Sequence, residues 1–404
     1  MPEAVIVSAA RTPIGRANKG SLKDFRPDDL TALIAQAALD KVPALDPNDV
    51  DDLLLGCGLP GGEAGNNMAR VVTTLMGYEI PGATVTRYCS SSVQTSRMAF
   101  HAIKAGEGDV FISAGVETVS RFQFGTSDHI PNTKNALFAD AQQRTEEYAQ
   151  GGRDWHDPRE DGVLPDIYIA MGQTAENVAR LRGLKREDLD HFAVRSQNLA
   201  EKAIADGFWE REITPVTLAD GTVVTQDDGP RAGVTYDAIS QLQPVFRPDG
   251  VVTAGNCCPL NDGAAAVVIM SDTKAAELGL TPLARIVSTG VSGLSPEIMG
   301  LGPVEATRNA LKYAGMTIDD IDLAEINEAF AAQVLPSAED LGIPIEKLNV
   351  NGGAIAVGHP FGMTGARLQN TMLNSLQWHD KSTGLITMCV GGGQGMAMIV
   401  ERLS

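Results

Sequence analysis

The chain has 404 residues, of which 43% are hydrophobic and only 5% aromatic, and its formal net charge is −19. This length predicts two or three cooperating structural units, and the apolar share excludes a disordered chain. The acidic charge and the scarcity of aromatic residues argue against a nucleic-acid partner. A small anionic ligand stays compatible with the charge, because a local cluster of donors binds an anion against the global field.

The cysteine count and the N-terminal sequence indicate a protein of a reducing compartment. The five cysteines are an odd number, contain no CxxC pair and share no zinc-type spacing with histidines. We therefore expect neither a disulfide framework nor a metal site. The N-terminus lacks the features of a signal peptide, and no apolar run approaches the ~20 residues of a membrane span. We predict a soluble, cytoplasmic protein.

Strand-like and helix-like segments alternate along the first part of the chain, which is typical of an α/β fold. Gly106 is predicted to end the helix that begins near Val93, since glycine is favoured just beyond a helix C-terminus. The predicted order is a strand over 4–8, a helix over 30–39, a strand over 50–56, the helix near 93–105 and a strand over 109–115.

The last part of the chain repeats this order at an offset of about 270–280 residues. Its predicted elements are a strand over 284–288, a helix over 306–314, a strand near 320–323, a helix over 364–376 and strands over 384–389 and 396–400. Between the repeats, two amphipathic helices, 173–182 and 186–205, belong to a segment with little strand alternation. We predict two duplicated halves, 1–120 plus 251–275 and 276–404, and an inserted loop domain over 121–250 that covers one face.

Cys89 is the first candidate for chemistry, because it stands immediately before a predicted helix. Free N–H groups at a helix N-terminus favour a thiolate, and the serines at 90–92 are expected to cap those donors. The alternative is a buried, inert cysteine, the common fate of a free thiol.

His359 lies in a glycine-rich segment, and Pro360 holds it outside helical geometry at a strand-to-helix junction. Little local packing accounts for this histidine, so a functional role is favoured over a structural one. Asn327 precedes it by 32 residues at another such junction, where a helix N-cap is the alternative. Duplicated halves would place Cys89 and His359 at equivalent element ends, and a pseudo-twofold axis would bring those ends together.

Cys389 ends a predicted strand and opens a glycine run over 391–393. No Lys-Ser/Thr pair follows, and the next segment is a strand, so the run is not a phosphate-binding loop. The two remaining interpretations are a tight hairpin and a nest of backbone N–H groups beside a thiol, which would suit an oxyanion.

Four segments together resemble the thiolases, the acetyl-CoA C-acyltransferases. They are Tyr88-Cys89-Ser90-Ser91-Ser92, Asn327-Glu328-Ala329-Phe330, Gly358-His359-Pro360 and Cys389-Val390-Gly391-Gly392-Gly393. All four occur in the order and spacing of that family, and the similarity runs from Val5 to the C-terminus. The resemblance implies a five-layer αβαβα core made of two five-stranded halves, a loop domain, and a homodimer or homotetramer.

The resemblance also implies roles for the candidate residues. Cys89 would be the acylated nucleophile, His359 its activator and Cys389 the second acid and base. Asn327 (through a water) and His359 would form one oxyanion hole, and the N–H groups of Cys89 and Gly391 the other. Contacts to the substrate and to coenzyme A (CoA) would come from Arg231, Phe246, Cys258, Met171, Ala329 and Phe330. CoA would be a substrate, and the chemistry needs no separate cofactor.

Two departures from the family pattern bear on specificity. Acetoacetyl-CoA thiolases commonly have histidine where this chain has Ala170, and serine where it has Cys258. We therefore expect CoA-dependent cleavage of 3-ketoacyl-CoA in fatty-acid β-oxidation or aromatic-acid breakdown. The alternatives are a biosynthetic acetoacetyl-CoA thiolase and a non-catalytic acyl-CoA or lipid carrier. A decarboxylating ketoacyl synthase is disfavoured, since it would usually carry histidine or asparagine in place of Cys389.

Overall fold

The computed structural model describes residues 2–122 and 131–404. The strands of these ranges are β1 (Ala4–Arg11), β2 (Gly15–Arg16), β3 (Asp52–Cys57), β4 (Gly82–Val85), β5 (Val110–Thr118), β6 (Val216–Thr217), β7 (Val223–Val224), β8 (Asn261–Ser271), β9 (Ala284–Gly293), β10 (Leu323–Ile326), β11 (Thr383–Val390) and β12 (Gln394–Arg402). The helices are α1 (Pro27–Asp40), α2 (Met68–Leu75), α3 (Ser91–Ala105), α4 (Val119–Phe122), α5 (Ala139–Ala149), α6 (Met171–Leu181), α7 (Arg186–Ala205), α8 (Tyr236–Ile239), α9 (Asp272–Glu277), α10 (Gly302–Ala314), α11 (Ala331–Leu341), α12 (Ala354–Val357) and α13 (Phe361–Trp378).

The sheet repeats one strand order in the two halves of the chain. Its order is β4-β3-β5-β8-β1 followed by β9-β12-β11-β10. In the first half β8 is antiparallel to β1 and β5, whereas β5, β3 and β4 run parallel. In the second half β12 is antiparallel to β9 and β11, and β11 is parallel to β10. The predicted duplication is therefore visible as a repeated topology.

The expected fifth strand of the second half is reduced to one bridge. Leu348 pairs in parallel with Ala324 of β10, at the place that β4 holds beside β3. The two halves join where β1 and β9 pair antiparallel over Val5–Arg285 and Ile6–Ala284. The second half thus has four strands and an isolated bridge where five strands were expected.

Hydrophobic residues fill three separate cores between layers of helices and sheet. One core lies under α1 and α2, and another lies under α10 and α11. The third surrounds α3 and α13, which are packed between the two halves of the sheet. This arrangement confirms the predicted α/β class with layered helices and sheets, because each strand of β5, β8 and β11 has buried residues along nearly its whole length.

The two central helices approach each other closely. The N–H of Ala366 donates to Oγ of Ser92 at 2.8 Å, so the second turn of α13 is joined to the first turn of α3. A Cβ on Gly365 would lie 2.5 Å from the backbone N of Val93. Only glycine allows α3 and α13 to lie this close, because Cβ atoms essentially never lie within 3.0 Å of another heavy atom.

The middle region packs on the core through helices α5–α8, with the short β6–β7 ladder as its described sheet. A buried ion cluster ties it to β1: the guanidinium of Arg11 binds Glu212 at 2.6 Å and Asp227 at 2.7 Å. Residues 123–130 of the predicted insertion lie outside the described ranges, and the domain boundaries stay a prediction. None of the described helices is long and apolar enough to cross a membrane.

Candidate active site

Cys89 lies in a sharp 3₁₀ turn, Tyr88–Ser90, directly before α3. Tyr88 has φ of +43°, a left-handed conformation that is strained for a residue with a large side chain. The serines at 90–92 do not cap α3 as predicted, because their hydroxyls bind other groups. Ser91 accepts from the N–H of Arg87, and Ser92 accepts from Ala366 of α13. The turn is thereby fixed against the second half of the chain.

The thiolate of Cys89 is not favoured in the ligand-free protein, contrary to the prediction from its helix N-terminal position. Burial raises the pKa of Cys89 to about 12. Hydrogen bonds from the N–H groups of Gly391 and of Cys89 itself oppose this rise, while Glu117 adds to it. Desolvation outweighs these donors, so the sulfur is held as a thiol.

The glycine run after β11 is a hairpin, and it also presents a backbone donor to a thiol. Strands β11 and β12 pair antiparallel from Thr383–Glu401 to Val390–Gln394, which confirms the turn. The N–H of Gly391 hydrogen bonds to the sulfur of Cys89. The hairpin interpretation is therefore confirmed, and the hairpin supplies one of the backbone donors that the alternative interpretation required.

Cys389 is completely buried near the end of β11. Burial raises its pKa well above the ordinary value, and the charge of the neighbouring Cys89 raises it further. The two thiols thus lie within electrostatic reach of each other, although they are 300 residues apart in the sequence.

His359 stands between α12 and α13, and its hydrogen bonds define its tautomer. Its Nδ1 lies 2.6 Å from Oγ1 of Thr364, and that hydroxyl donates to the carbonyl oxygen of Pro360 at 2.7 Å. A hydroxyl has one proton to donate, so Thr364 accepts the proton of Nδ1. The Nε2 atom of His359 is therefore the unprotonated nitrogen, available to take a proton.

Asn327 faces His359 and does not cap a helix. Its Nδ2 lies 3.3 Å from Nε2 of His359, whereas the N-cap position of α11 is Phe330. The carbonyl oxygen of Asn327 accepts from Nε2 of Gln333 at 2.5 Å, which fixes the backbone there. The amide of Asn327 is thus a donor beside the imidazole rather than a part of the helix end.

The imidazole of His359 is neutral in the folded protein. Burial lowers its pKa to about 3, and the guanidinium of Arg367 contributes to the decrease. Because burial raises the pKa of Cys89 and lowers that of His359, the free site contains an uncharged thiol and an uncharged base. Charge separation then requires a group that stabilises the negative charge as it forms.

Two further residues hold the site together, and the sequence did not reveal them. The carboxylate of Glu117 on β5 accepts from the N–H groups of Gly58 and Gly362 at 2.8 and 2.9 Å, and burial raises its pKa to about 7. Oδ1 of Asn261 accepts from the N–H of His359 at 2.9 Å. These partners are more than 50 residues apart in sequence, so only the fold shows them.

Thr364 was also missed, although the sequence contains a local signal for it. It stands in the first turn of a helix five residues after a histidine that precedes proline. At this position in a helix, a threonine hydroxyl donates a hydrogen bond to the carbonyl oxygen four residues earlier. Its oxygen then remains able to accept a hydrogen bond from the imidazole.

The predicted substrate-side residues come together beside the thiols. Cys258 donates its N–H to the carbonyl oxygen of Ala329 at 3.0 Å, and the backbones of Cys257 and Phe330 form an isolated antiparallel β-bridge. Burial raises the pKa of Cys258, and the charges of nearby thiols, Cys89 and Cys389 among them, raise it further.

The aromatic and methionine side chains complete this wall. Phe246 packs edge-to-face on Phe330 with ring centroids 6.3 Å apart. The sulfur of Met171 lies beside Gly391, because a Cβ on that glycine would be 3.7 Å from it. Arg231 is exposed at the far side, where it lines a cavity of about 180 Å³ that Cys258 also lines.

The structure therefore brings Cys89, Cys389 and Gly391 together, with Cys258 beside the two thiols. Separately, it pairs the buried His359 with Asn327. Within the described ranges, no group of three or more His, Cys, Asp or Glu side chains is arranged to hold a metal ion.

Comparison with known proteins identifies the family. The model of the thiolase N-terminal domain matches residues 4–273, and that of the thiolase C-terminal domain matches residues 280–402. The chain belongs to the thiolase family. It is an acyltransferase by this membership, and the resemblance found in the four sequence segments is confirmed.

Relatives and solved structures of thiolases cover the whole chain. A 3-ketoacyl-CoA thiolase of Bacillus subtilis is 43% identical, with 99% of this chain and 100% of that protein aligned. The 3-oxoadipyl-CoA/3-oxo-5,6-dehydrosuberyl-CoA thiolase of Escherichia coli is also 43% identical, with both chains fully covered. The crystal structure of the acetyl-CoA acetyltransferase of Bacillus anthracis has a TM-score of 0.88 at 37% identity, covering 100% of this chain and 99% of that one.

Proposed function

We propose that this protein cleaves 3-ketoacyl-CoA with CoA, giving acetyl-CoA and an acyl-CoA shortened by two carbons. The observation that carries the proposal is the sulfur of Cys89, which lies beside the second thiol, Cys389, and accepts the N–H of Gly391. The neutral imidazole of His359, paired with Asn327, is the base that the proposal adds to these two thiols. The names of two relatives, each 43% identical over nearly the full length, support the same reaction.

In the first half-reaction, Nε2 of His359 takes the proton of Cys89 as the sulfur attacks the C3 carbonyl. The C2–C3 bond then breaks, and its electron pair passes to C2 as the enolate of acetyl-CoA. The thiol of Cys389 gives its proton to C2, leaving acyl-Cys89, the thiolate of Cys389 and an imidazolium. A thiol suits the last step because Cys389 is fully buried and protonated in the ligand-free protein.

In the second half-reaction, the thiolate of Cys389 takes the proton of CoA, and the CoA sulfur attacks the acyl-Cys89 thioester. Cys89 leaves and recovers its proton from His359, which returns every group to its starting state. The same steps in reverse join two acyl groups, so one site catalyses both directions. As written, the scheme consumes CoA as a substrate and uses no metal or redox cofactor.

Negative charge builds on two substrate oxygens in these steps. The N–H groups of Cys89 and Gly391, which hydrogen bond to the sulfur, form one oxyanion hole in our proposal. Nδ2 of Asn327, through a water, and the protonated Nε2 of His359 form the other. Preorganised donors of this kind each contribute about 3–4 kcal/mol to the transition state. They supply the stabilisation without which the neutral Cys89–His359 pair does not separate charge.

We assign the protein to degradation rather than to acetoacetyl-CoA synthesis. Ala170, at the N-cap of α6, and Cys258, beside the thiols, replace the histidine and serine common in acetoacetyl-CoA thiolases. The proposal includes Arg231, Phe246, Met171, Ala329 and Phe330 as the residues along the CoA and acyl-chain path.

A chain-length series tests the reaction and its class together. The wild-type protein is assayed with CoA and 3-ketoacyl-CoAs of four to twelve carbons, and kcat/KM is measured for each. We expect activity on the longer chains, and a sharp maximum at four carbons would contradict the degradative assignment. Absence of CoA-dependent cleavage on every chain length would refute the proposed function, with Cys89→Ser as the inactive reference.

The cellular context is a further part of the proposal. We infer fatty-acid β-oxidation or aromatic-acid breakdown in the cytoplasm, and a homodimer or homotetramer. Light scattering coupled to size-exclusion chromatography measures the oligomeric state, and a monomer at micromolar concentration would contradict this part.

A further inference from the structure

Two arginines line the cavity beside the thiol cluster. Arg16 is half-buried and Arg231 is exposed, and the wall they share with Cys258 encloses about 180 Å³. Arg231 was expected at the CoA site from the family resemblance, whereas Arg16 was assigned no function. Its side chain adds a second positive charge to the same cavity.

The guanidinium groups of Arg16 and Arg231 have no protein partner. Over residues 2–122 and 131–404, neither group makes a hydrogen bond or an ion pair, and only their backbone N–H groups donate. This differs from Arg11, whose buried guanidinium binds two carboxylates. In a chain with 51 acidic and 32 basic residues, two unpaired cations beside one cavity form a local site for an anion.

The two arginines are held in one rigid unit. Oδ2 of Asp228 accepts from the N–H of Arg16 at 2.9 Å, and the N–H of Asp228 donates to the carbonyl of Ile14 at 2.9 Å. Arg231 follows three residues later, and its N–H donates to Oε1 of Gln197 at 3.0 Å. The positions of the two backbones are thereby fixed relative to each other before any ligand arrives.

The same unit is connected to the catalytic imidazole. Strand β2, which contains Arg16, pairs with Asn261 and Asp262 of β8. Asn261 in turn accepts the N–H of His359. Two carboxylates of neighbouring segments, Asp228 and Glu201, already accept backbone N–H groups, Glu201 from Gly233 at 2.9 Å. They form no ion pair with Arg16 or Arg231.

We propose that Arg16 is a binding residue of the acyl-CoA site, where it holds an anionic group of the substrate together with Arg231. The inference rests on the proposed function and adds to it a second cation. Two groups offer the required oxygen anions, the phosphates of CoA and the terminal carboxylate of a dicarboxylic 3-ketoacyl chain. The experiment below distinguishes them.

Equilibrium binding of CoA, 3′-dephospho-CoA and pantetheine is measured by calorimetry for the wild type, Arg16→Ala and Arg16→Lys. Hydrogen bonds to a charged group are strong, so we expect Arg16→Ala to weaken CoA binding about tenfold and Arg16→Lys to weaken it less. Pantetheine binding should not change if the anion is a phosphate. Lys19→Ala is the matched control, since Lys19 is an exposed cation three residues away that does not line the cavity.

A second arm compares kcat/KM for 3-oxoadipyl-CoA and 3-oxohexanoyl-CoA. If Arg16→Ala leaves the CoA affinity unchanged and lowers kcat/KM only for 3-oxoadipyl-CoA, then Arg16 binds the terminal carboxylate of the acyl chain. The proposal is overturned if Arg16→Ala changes neither CoA affinity nor either rate, or if Lys19→Ala has an equal effect. Calorimetry needs no turnover, so a wild type that binds CoA without cleaving ketoacyl-CoA would refute the proposed function alone. Thermal unfolding confirms that each variant is folded.

Discussion

The imidazole of His359 is oriented by Thr364, since its Nδ1 lies 2.6 Å from the Oγ1 of that residue. The hydroxyl donates its own hydrogen bond to the carbonyl oxygen of Pro360, the N-cap residue of α13 four residues earlier. A single threonine thus decides which nitrogen of the imidazole is unprotonated, and in the proposed reaction that nitrogen takes the proton of Cys89.

Replacing Thr364 by valine should lower kcat by about ten- to a hundredfold with little change in KM. Valine has a similar shape but leaves the Nδ1 proton without its acceptor, so the tautomer with a free Nε2 is no longer favoured. Steady-state rates across pH for Thr364→Val and Thr364→Ser check this. Thr364→Ser keeps the hydroxyl and should recover most of kcat. A change in KM alone would contradict the positioning role.

Alkylation of Cys89 by iodoacetamide should be slow at neutral pH and should continue to accelerate up to pH 10. With a pKa of about 12, the thiolate fraction rises tenfold with each pH unit over this range. Peptide mapping by mass spectrometry follows the rate at Cys89, and the same peptide in denaturant should level off near its ordinary pKa of about 8.5. A plateau below pH 9 in the native protein would show that the sulfur is ionised more readily than its burial indicates.

The Cys389→Ala variant should form acyl-Cys89 but turn over about 10²- to 10⁴-fold more slowly than the wild type. The nucleophile stays intact, whereas the proton for the leaving carbanion is lost. Intact-mass measurement after incubation with acyl-CoA detects the acyl-enzyme, and Cys89→Ala is the control that cannot form it. Turnover of Cys389→Ala at the wild-type rate would exclude the second acid role.

The wild type should lose about 1.6 kcal/mol more of its free energy of unfolding than His359→Gln as the pH falls from 6.5 to 5. The folded-state pKa of His359 is about 3, below the unfolded value of 6.5. The unfolded chain therefore binds a proton in this window that the folded chain does not, and stability decreases as the pH falls. Urea unfolding at several pH values measures the difference. Parallel pH curves for the two proteins would contradict a neutral buried imidazole.

Changing Gly365 to alanine should reduce both stability and kcat. Its Cβ would lie 2.5 Å from the backbone N of Val93, which forces α13 away from α3 at a cost of about 1–3 kcal/mol. Gly293→Ala is the control, because nothing lies within 4 Å of a Cβ there. Chemical denaturation and initial rates give the two readouts. Equal effects of both substitutions would mean that the helix contact is not the cause.

Much of the fold could be predicted from periodicity, since long buried segments carry strong local patterns. The helices predicted over 30–39 and 364–376 are present as 27–40 and 361–378, and the predicted strand at 109–115 extends to residue 118. The loss of a fifth strand at Leu348 was not predictable, because one bridge leaves no pattern in the sequence.

The positions of Cys89 and His359 could be predicted, but their ionisation could not. A helix N-terminus favours a thiolate. In agreement with this local rule, the N–H groups that reach the sulfur lower the pKa of Cys89. The larger effect is desolvation by residues from both halves, which depends on the assembled core. Glu117 could not be predicted for the same reason, because its backbone partners come from two distant segments, Gly58–Leu59 and Gly362.

The site belongs to neither half of the chain alone. Cys89 comes from the first half, whereas His359 and Cys389 come from the second, and their separation is set where Ala366 and Ser92 meet between α3 and α13. A misplacement of about 1 Å costs a reaction of this kind about a hundredfold in rate. Substitutions far from either thiol can therefore abolish activity, because they change the orientation of one half relative to the other.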